Sequence, residues 1–196
     1  KTVAACKKTL PKAGWEMHYA EHPYLQGTID GYSVEVIPCF HTQAGQKIKS
    51  AVDRTPLHMD FLQKQLTASQ RQDVRALKRL LKTHGIYGAE LRIRGFSGLL
   101  CEYLILNYRS FAGLIDAARL WRPPVRIDMT QTTSKATFDT PMILIDAVDE
   151  SRNVAAVVNA TQVHRFISLC QALWRNPSEK LFYPQKTKPP SSIQLQ

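Results

Sequence analysis

The chain has 196 residues, 44% of them hydrophobic and 21% charged, a balance that fits a globular protein and excludes a wholly disordered or fibrous one. Lys and Arg outnumber Asp and Glu by 26 to 16, a formal charge of +10 that points to a polyanionic partner. No apolar run approaches the roughly 20 residues needed to cross a bilayer, and the four scattered cysteines, Cys6, Cys39, Cys101 and Cys170, argue against a zinc knuckle or a dense disulfide framework and fit free thiols in a cytoplasmic protein.

The segment from Lys1 to Lys8 has neither an initiator Met nor a secretory apolar run, so it reads as the interior of a longer chain. Next come two β-prone stretches, Leu25 to Ile29 and Tyr32 to Ile37, joined by Asp30-Gly31, a dipeptide that tolerates the positive φ angles of a tight hairpin. In the second stretch the period of two puts Val34 and Val36 on one face and Ser33, Glu35 and Ile37 on the other, leaving a lone carboxylate in mid-strand.

From about Gly45 to Trp121 the pattern is helical. Between Arg71 and Lys82, Val74, Leu77 and Leu81 recur at core-face spacing, while Arg71, Arg75, Lys78 and Lys82 stack cations in one stripe beside them. Only Asp73 and Glu90 offset the cations between Arg71 and Arg94, and unbalanced cations on one face repel unless an anion compensates them. Gly85 is placed to end that helix, and a second apolar run from Gly98 continues toward Trp121, where Arg122-Pro123-Pro124 breaks it. The last third returns to mixed α/β. A Thr-rich linker, Asp128 to Asp139, precedes a buried-strand run from Met142 to Val148, then a helix capped by Thr161 and stopped by Asn176-Pro177, then a Pro/Ser-rich tail.

Two local motifs have competing readings. His18-Tyr19-Ala20-Glu21-His22 has H-x-x-E-H spacing, a zinc-peptidase pattern, but that chemistry needs a helix, and Gly14 and Pro23 flank the segment. Arg94-Gly95-Phe96-Ser97-Gly98 lacks the spacing of a serine nucleophile elbow and matches only the opening of an RNA-recognition signature, so by spacing alone a tight glycine turn stands level with any functional reading.

Taken together, Tyr19-Ala20-Glu21-His22-Pro23-Tyr24, Val34-Glu35-Val36-Ile37-Pro38-Cys39, Ser50 to Pro56, Gly85-Ile86-Tyr87-Gly88-Ala89-Glu90, Arg94-Gly95-Phe96-Ser97-Gly98 and Arg152-Asn153-Val154-Ala155-Ala156 resemble, in order and spacing, the archaeal class I CCA-adding enzymes. The similarity runs from about Tyr19 to Pro184. It implies an α+β fold: residues 1–42 as the end of a nucleotidyltransferase palm sheet, 43–127 as a helical neck, 128–184 as the start of an RRM- or ferredoxin-like body, and 185–196 as a tail. It also implies a tRNA nucleotidyltransferase that adds CCA to immature tRNA from CTP and ATP, with Mg²⁺ as cofactor, tRNA as partner, no membrane association and a homodimer in the full-length protein.

The resemblance carries residue roles as well. Glu35 falls on the third of the family's three metal-binding carboxylates, where Asp is usual, and the Gly-Ser and Asp-x-Asp motifs that supply the rest are absent from these residues, so this chain alone is expected to be inactive. His58, Lys78 and Tyr87 fall on positions that hold the incoming triphosphate, Thr55 and Arg152 on positions that read the base together with the tRNA backbone, and Arg92 and Arg94 on candidates for RNA phosphate, as are Arg71, Arg75 and Lys82 of the stripe. Related readings are a poly(A) polymerase or oligoadenylate synthetase type, or a non-catalytic RNA-binding module.

Overall fold

The computed structural model describes residues 2–9, 11–19, 23–40, 42, 48, 50–130 and 135–183. They fall into two compact units, Lys1–Phe61 and Leu62–Gln196.

In the first unit α1 (Thr2–Thr9) precedes a three-stranded antiparallel sheet, β1 (Glu16–Tyr19), β2 (Pro23–Ile29) and β3 (Tyr32–Val36), in the order β1-β2-β3. Asp30 and Gly31 make the expected hairpin turn, with φ of 51° and 81°, so both turn residues occupy the left-handed region that a two-residue hairpin requires. One face of the sheet covers a small core of Ala13, Trp15 and Leu25, joined by Cys6, Ile29, Val34 and Val36. Gly27 permits this packing: a Cβ there would lie 2.7 Å from the Trp15 ring and 2.8 Å from the Ala13 carbonyl oxygen. Alternation puts Glu35 on the opposite, exposed face, paired in register with Gln26. His18 lies on strand β1 and stacks on Tyr24, ring centroids 5.5 Å apart, so the zinc-peptidase reading lacks its helix; Glu21 and His22 lie outside the described residues. The carboxylate of Asp53 accepts the backbone amides of Phe40 and Ser50, both at 2.8 Å, and fixes the entry to α2 (Arg54–Gln65).

The second unit is built on α3 (Ala68–Thr83), α4 (Gly98–Tyr108), α5 (Phe111–Ala118) and α6 (Ala160–Arg175), with a parallel two-stranded sheet of β4 (Val125–Asp128) and β5 (Met142–Ile145). Thr67 and Gln70 form a capping box on α3. Its other end closes as expected at Gly85 (φ 64°): the Gly85 amide donates to Lys82 O and that of Ile86 to Leu81 O, the paired bonds of a Schellman cap. Val74, Leu77 and Leu81 are buried, and so is Leu80.

Four local expectations need correction. The apolar run from Gly98 is two helices, because Arg109 turns left-handed (φ 69°) and Ser110 then caps α5 by accepting the Gly113 amide. Asn159, not Thr161, caps α6, accepting Gln162 N at 2.9 Å. The run from Met142 stops pairing at Ile145, where Asp146 turns toward Arg152. Strand β4 was not expected at all, and the boundary drawn at residues 127 and 128 falls inside it. The expected tail beyond residue 184 lies outside the described residues.

Candidate nucleotide-binding site

In the second unit Lys78 and Tyr87, two of the three residues expected on the triphosphate, come together at the start of α4. The glycine turn supplies the frame: Gly88 N donates to Phe96 O (2.9 Å), Phe96 N to Ile86 O (2.9 Å) and Gly95 N to Gly88 O (2.8 Å), which lays Ile86-Tyr87-Gly88 against Gly95-Phe96. Gly95 is required here, since a Cβ would sit 2.2 Å from Ile86 O. Ser97 then caps α4, its hydroxyl accepting Leu100 N at 3.2 Å.

Lys78 reaches this point from the middle of α3. Its Nζ donates to Glu102 Oε1 at 2.7 Å, both side chains 26% exposed. A Cβ at Gly98 would stand 3.4 Å from the Tyr87 hydroxyl and 3.5 Å from Lys78 Nζ, so the hydroxyl, the ammonium and the first residue of α4 share one small region. The leading amides of a helix lack helical acceptors and its dipole favours an anion there, so this is a cationic, donor-rich setting suited to phosphate oxygens. Lys82 lies over the Tyr87 ring, 5.0 Å from its centroid. Burial alone pulls the Lys78 ammonium pKa down, but the hydrogen bond and charge of Glu102 outweigh it, and the net shift is upward from 10.5.

The basic stripe is thus not uniform. Lys78 faces α4 and is paired, which the count of acids up to Arg94 could not reveal. Arg71 and Arg75 are exposed and bond locally, to Gln63 O (3.3 Å) and Gln72 Oε1 (3.1 Å). Arg79, absent from the sequence reading, donates to Phe182 O (3.1 Å) and lies 4.4 Å from the Tyr183 ring centroid. Together with Thr83 (3.1 Å to Phe182 O) and His84 (3.0 Å from Leu181 O) it holds the turn Glu179–Phe182 on α3.

Arg152 forms a second station in the same unit. Its Nη1 donates to Asp146 Oδ2 at 2.7 Å; the Asp146 carboxylate has no solvent exposure, and its other oxygen accepts the Tyr103 hydroxyl (2.9 Å) and Val148 N (3.1 Å). One edge of the guanidinium is therefore anchored while a third of the side chain stays exposed. Burial, reinforced by the Asp146 charge, pushes the Tyr103 phenol well above its ordinary range, so it remains a donor. Arg92 and Arg94 are exposed in the turn before α4, and Arg94 takes a left-handed conformation, φ 50°.

The remaining expected residues lie in the first unit, Thr55 exposed and His58 buried one turn later on α2. Glu35 is exposed on β3. Among the described residues no group of three or more His, Cys, Asp or Glu is arranged to hold a metal ion, so these residues by themselves do not fit a two-metal centre. A groove of about 700 Å³ lined by His84, Ile86, His164, Arg165 and Leu181 contains none of the expected site residues. No described helix is long and apolar enough to cross a membrane.

Comparison with known proteins identifies the family of the chain. A family model described as tRNA nucleotidyltransferase, second domain, matches residues 72–183. The chain is 46% identical over 168 residues to the CCA-adding enzyme of Pyrobaculum islandicum, covering 86% of this chain and 40% of that one, and 44% identical over 171 residues to the CCA-adding enzyme of Halobacterium salinarum, covering 87% and 38%. It thus spans about two fifths of the length of these curated relatives. The solved structure of E. coli MS115-1 CdnC with ATP superposes with a TM-score of 0.61 at 16% identity, covering 92% of this chain and 67% of that one, a likeness of fold. With the match to the second domain running through α3, the glycine turn, α4 and Arg152, the chain belongs to the tRNA nucleotidyltransferase family.

Proposed function

We propose that this chain is part of a CCA-adding enzyme and supplies the contacts that hold the incoming CTP or ATP and the tRNA end. The single observation that carries the reading is the meeting of Lys78 Nζ and the Tyr87 hydroxyl beside Gly98, at the start of α4. Lys78 and Tyr87 bind the triphosphate, a role that the resemblance also gives to His58 of the first unit. Arg152, held by Asp146, and Thr55 read the base together with the tRNA backbone, and the exposed Arg71, Arg75, Lys82, Arg92 and Arg94 attract RNA phosphate in a salt-dependent manner.

In this reading the tRNA 3′-hydroxyl oxygen attacks the α-phosphorus and pyrophosphate leaves. The residues of this chain orient the triphosphate and offset its charge. Mg²⁺ is the cofactor the family resemblance implies, with Glu35 on one carboxylate position of a centre that the described residues do not make by themselves; the setting is cytoplasmic, with a homodimer in the full-length protein. The finer division takes residues 1–42 as the end of the palm sheet, 43–127 as the neck and 128–184 as the start of an RRM- or ferredoxin-like body, with the second boundary moved off β4, which it would cut. The parallel pair β4 and β5 followed by α6 supports an α/β character there.

Labelled CTP and ATP, supplied with tRNA lacking its CCA end, test the proposal. The 196-residue chain is expected to bind both nucleotides weakly and to transfer poorly, because it carries one of the three carboxylates that the resemblance implies. RNA binding without any triphosphate binding would favour a non-catalytic RNA-binding module instead, and robust CCA addition by the chain would overturn the one-carboxylate reading.

A further inference from the structure

Lys78 is held by a carboxylate where a neutral acceptor would suffice to aim it. Glu102 stands on the second turn of α4, 24 residues from Lys78 in sequence, and its Oε1 lies 2.7 Å from the ammonium that borders the phosphate region. An aliphatic amine needs no carboxylate to stay protonated at neutral pH, so the charge of Glu102 is not needed to make Lys78 cationic. What that charge adds is a negative field next to the place where a triphosphate binds and pyrophosphate departs. Both side chains are about three-quarters shielded, which keeps the pair from being fully screened by water.

Resting on the proposed phosphate site, we infer that Glu102 is a positioning and tuning residue: it fixes Lys78 Nζ beside Tyr87 and Gly98, and its negative charge loosens the hold on the polyphosphate, easing pyrophosphate release. A site made of Lys78, Tyr87 and a helix start alone would hold substrate and product polyphosphate with similar strength, and tight product binding slows turnover. Glu102 weakens the grip on both without removing the cation that recognises them. The amide of Glu102→Gln still offers an oxygen to Lys78, so aim is retained while the opposing charge is lost. Glu102→Asp does the reverse, keeping the charge on a shorter arm.

Titration of the chain with inorganic pyrophosphate in metal-free buffer at fixed ionic strength separates the possibilities, with circular dichroism confirming the fold. Glu102→Gln is expected to tighten binding by about threefold to tenfold, the scale of one like-charge interaction removed at a partly screened site, and Glu102→Asp to leave binding unchanged or weaker. Equal or weaker binding by folded Glu102→Gln overturns the inference, as does tightening by both variants, which would not be an effect of charge. A residue that merely packed α3 against α4 would lower the melting temperature without tightening any anion. Lys78→Ala distinguishes the underlying reading: unchanged pyrophosphate affinity in that variant removes the phosphate site itself, whereas weakened affinity there with no gain in Glu102→Gln removes only the tuning role.

Discussion

The two units handle their functional groups differently. In Lys1–Phe61 the candidate carboxylate, Glu35, stands exposed on a sheet whose core is three buried residues, and its register partner is the neutral Gln26. In Leu62–Gln196 each candidate cation that faces inward has a carboxylate holding it: Lys78 has Glu102, and Arg152 has Asp146. The second unit therefore presents side chains already oriented for a ligand, while Glu35 has no such support among the described contacts. Pre-oriented groups lose less freedom when the ligand arrives, which favours binding function in the second unit.

The largest test of this contrast is in the cores. Phe166 is fully buried, with its ring 4.8 Å from Phe96 and 5.6 Å from Trp121, so it links α6 to the glycine turn that leads to the proposed phosphate site. Phe166→Ala is expected to lower the stability of the second unit by about 3–5 kcal/mol in urea titrations and to abolish nucleotide binding with it. Trp15→Ala carries a similar cost per side chain. Set against a core of three residues, it is expected to unfold the β1 to β3 sheet, seen as lost hydrogen-exchange protection there, while the second unit keeps its protection. Next in size, Asp146→Ala removes the buried carboxylate that accepts from both the two-thirds-shielded Arg152 and the Tyr103 hydroxyl, at a cost of about 3–5 kcal/mol by thermal or urea unfolding. Asp146→Asn keeps an acceptor and should cost less while altering the preference between CTP and ATP.

What the sequence made legible was local. Asp30-Gly31 specifies its own turn, the spacing of Val74, Leu77 and Leu81 specifies a helix face, and Gly85 closes that helix, because each signal acts within a few residues of itself. The division at Arg109 and Ser110 was hidden because the residues on both sides are apolar, and a single left-handed residue interrupts the run without changing its composition. Strand β4 offers only Val125 and Ile127 as inward residues, with charged Arg126 and Asp128 between and after them, too short a pattern to stand out. The site was legible only through motif resemblance. Its supports, Glu102 and Asp146, were not: the first is a single acid within an apolar helical run, and the second lies inside the apolar run from Met142 to Val148. Both act on partners brought near by folding, 24 and 6 residues away.

Smaller effects sharpen the phosphate site. Lys78→Ala is expected to raise KM for CTP and ATP in a full-length enzyme about tenfold, about 1.4 kcal/mol, with Tyr87→Phe less affected; unchanged steady-state kinetics in both would remove these residues from the site. The Lys78 pKa also sets a stability window. Because it is raised in the folded protein, the ion pair with Glu102 contributes fully below the ordinary value of 10.5 and is lost as pH rises through the higher folded value. Melting temperatures of wild type and Lys78→Met should therefore differ at pH 8 and converge well above pH 10.5.

The smallest expected effect on the fold is at Gly98, where stability and binding should move in opposite directions. Gly98 opens α4, and an added Cβ would meet only the Tyr87 hydroxyl at 3.4 Å and the flexible end of Lys78 at 3.5 Å, ordinary van der Waals distances. Since Gly has the greater unfolded-state entropy, Gly98→Ala should be neutral or stabilising by about 0.4–1 kcal/mol. The same methyl group, however, would stand against both side chains proposed to receive a phosphate oxygen, and it should weaken triphosphate binding severalfold. A more stable protein with poorer nucleotide binding would assign the space before α4 to the ligand. A more stable protein with unchanged binding would move the phosphate elsewhere and leave Lys78 and Glu102 as a brace between α3 and α4.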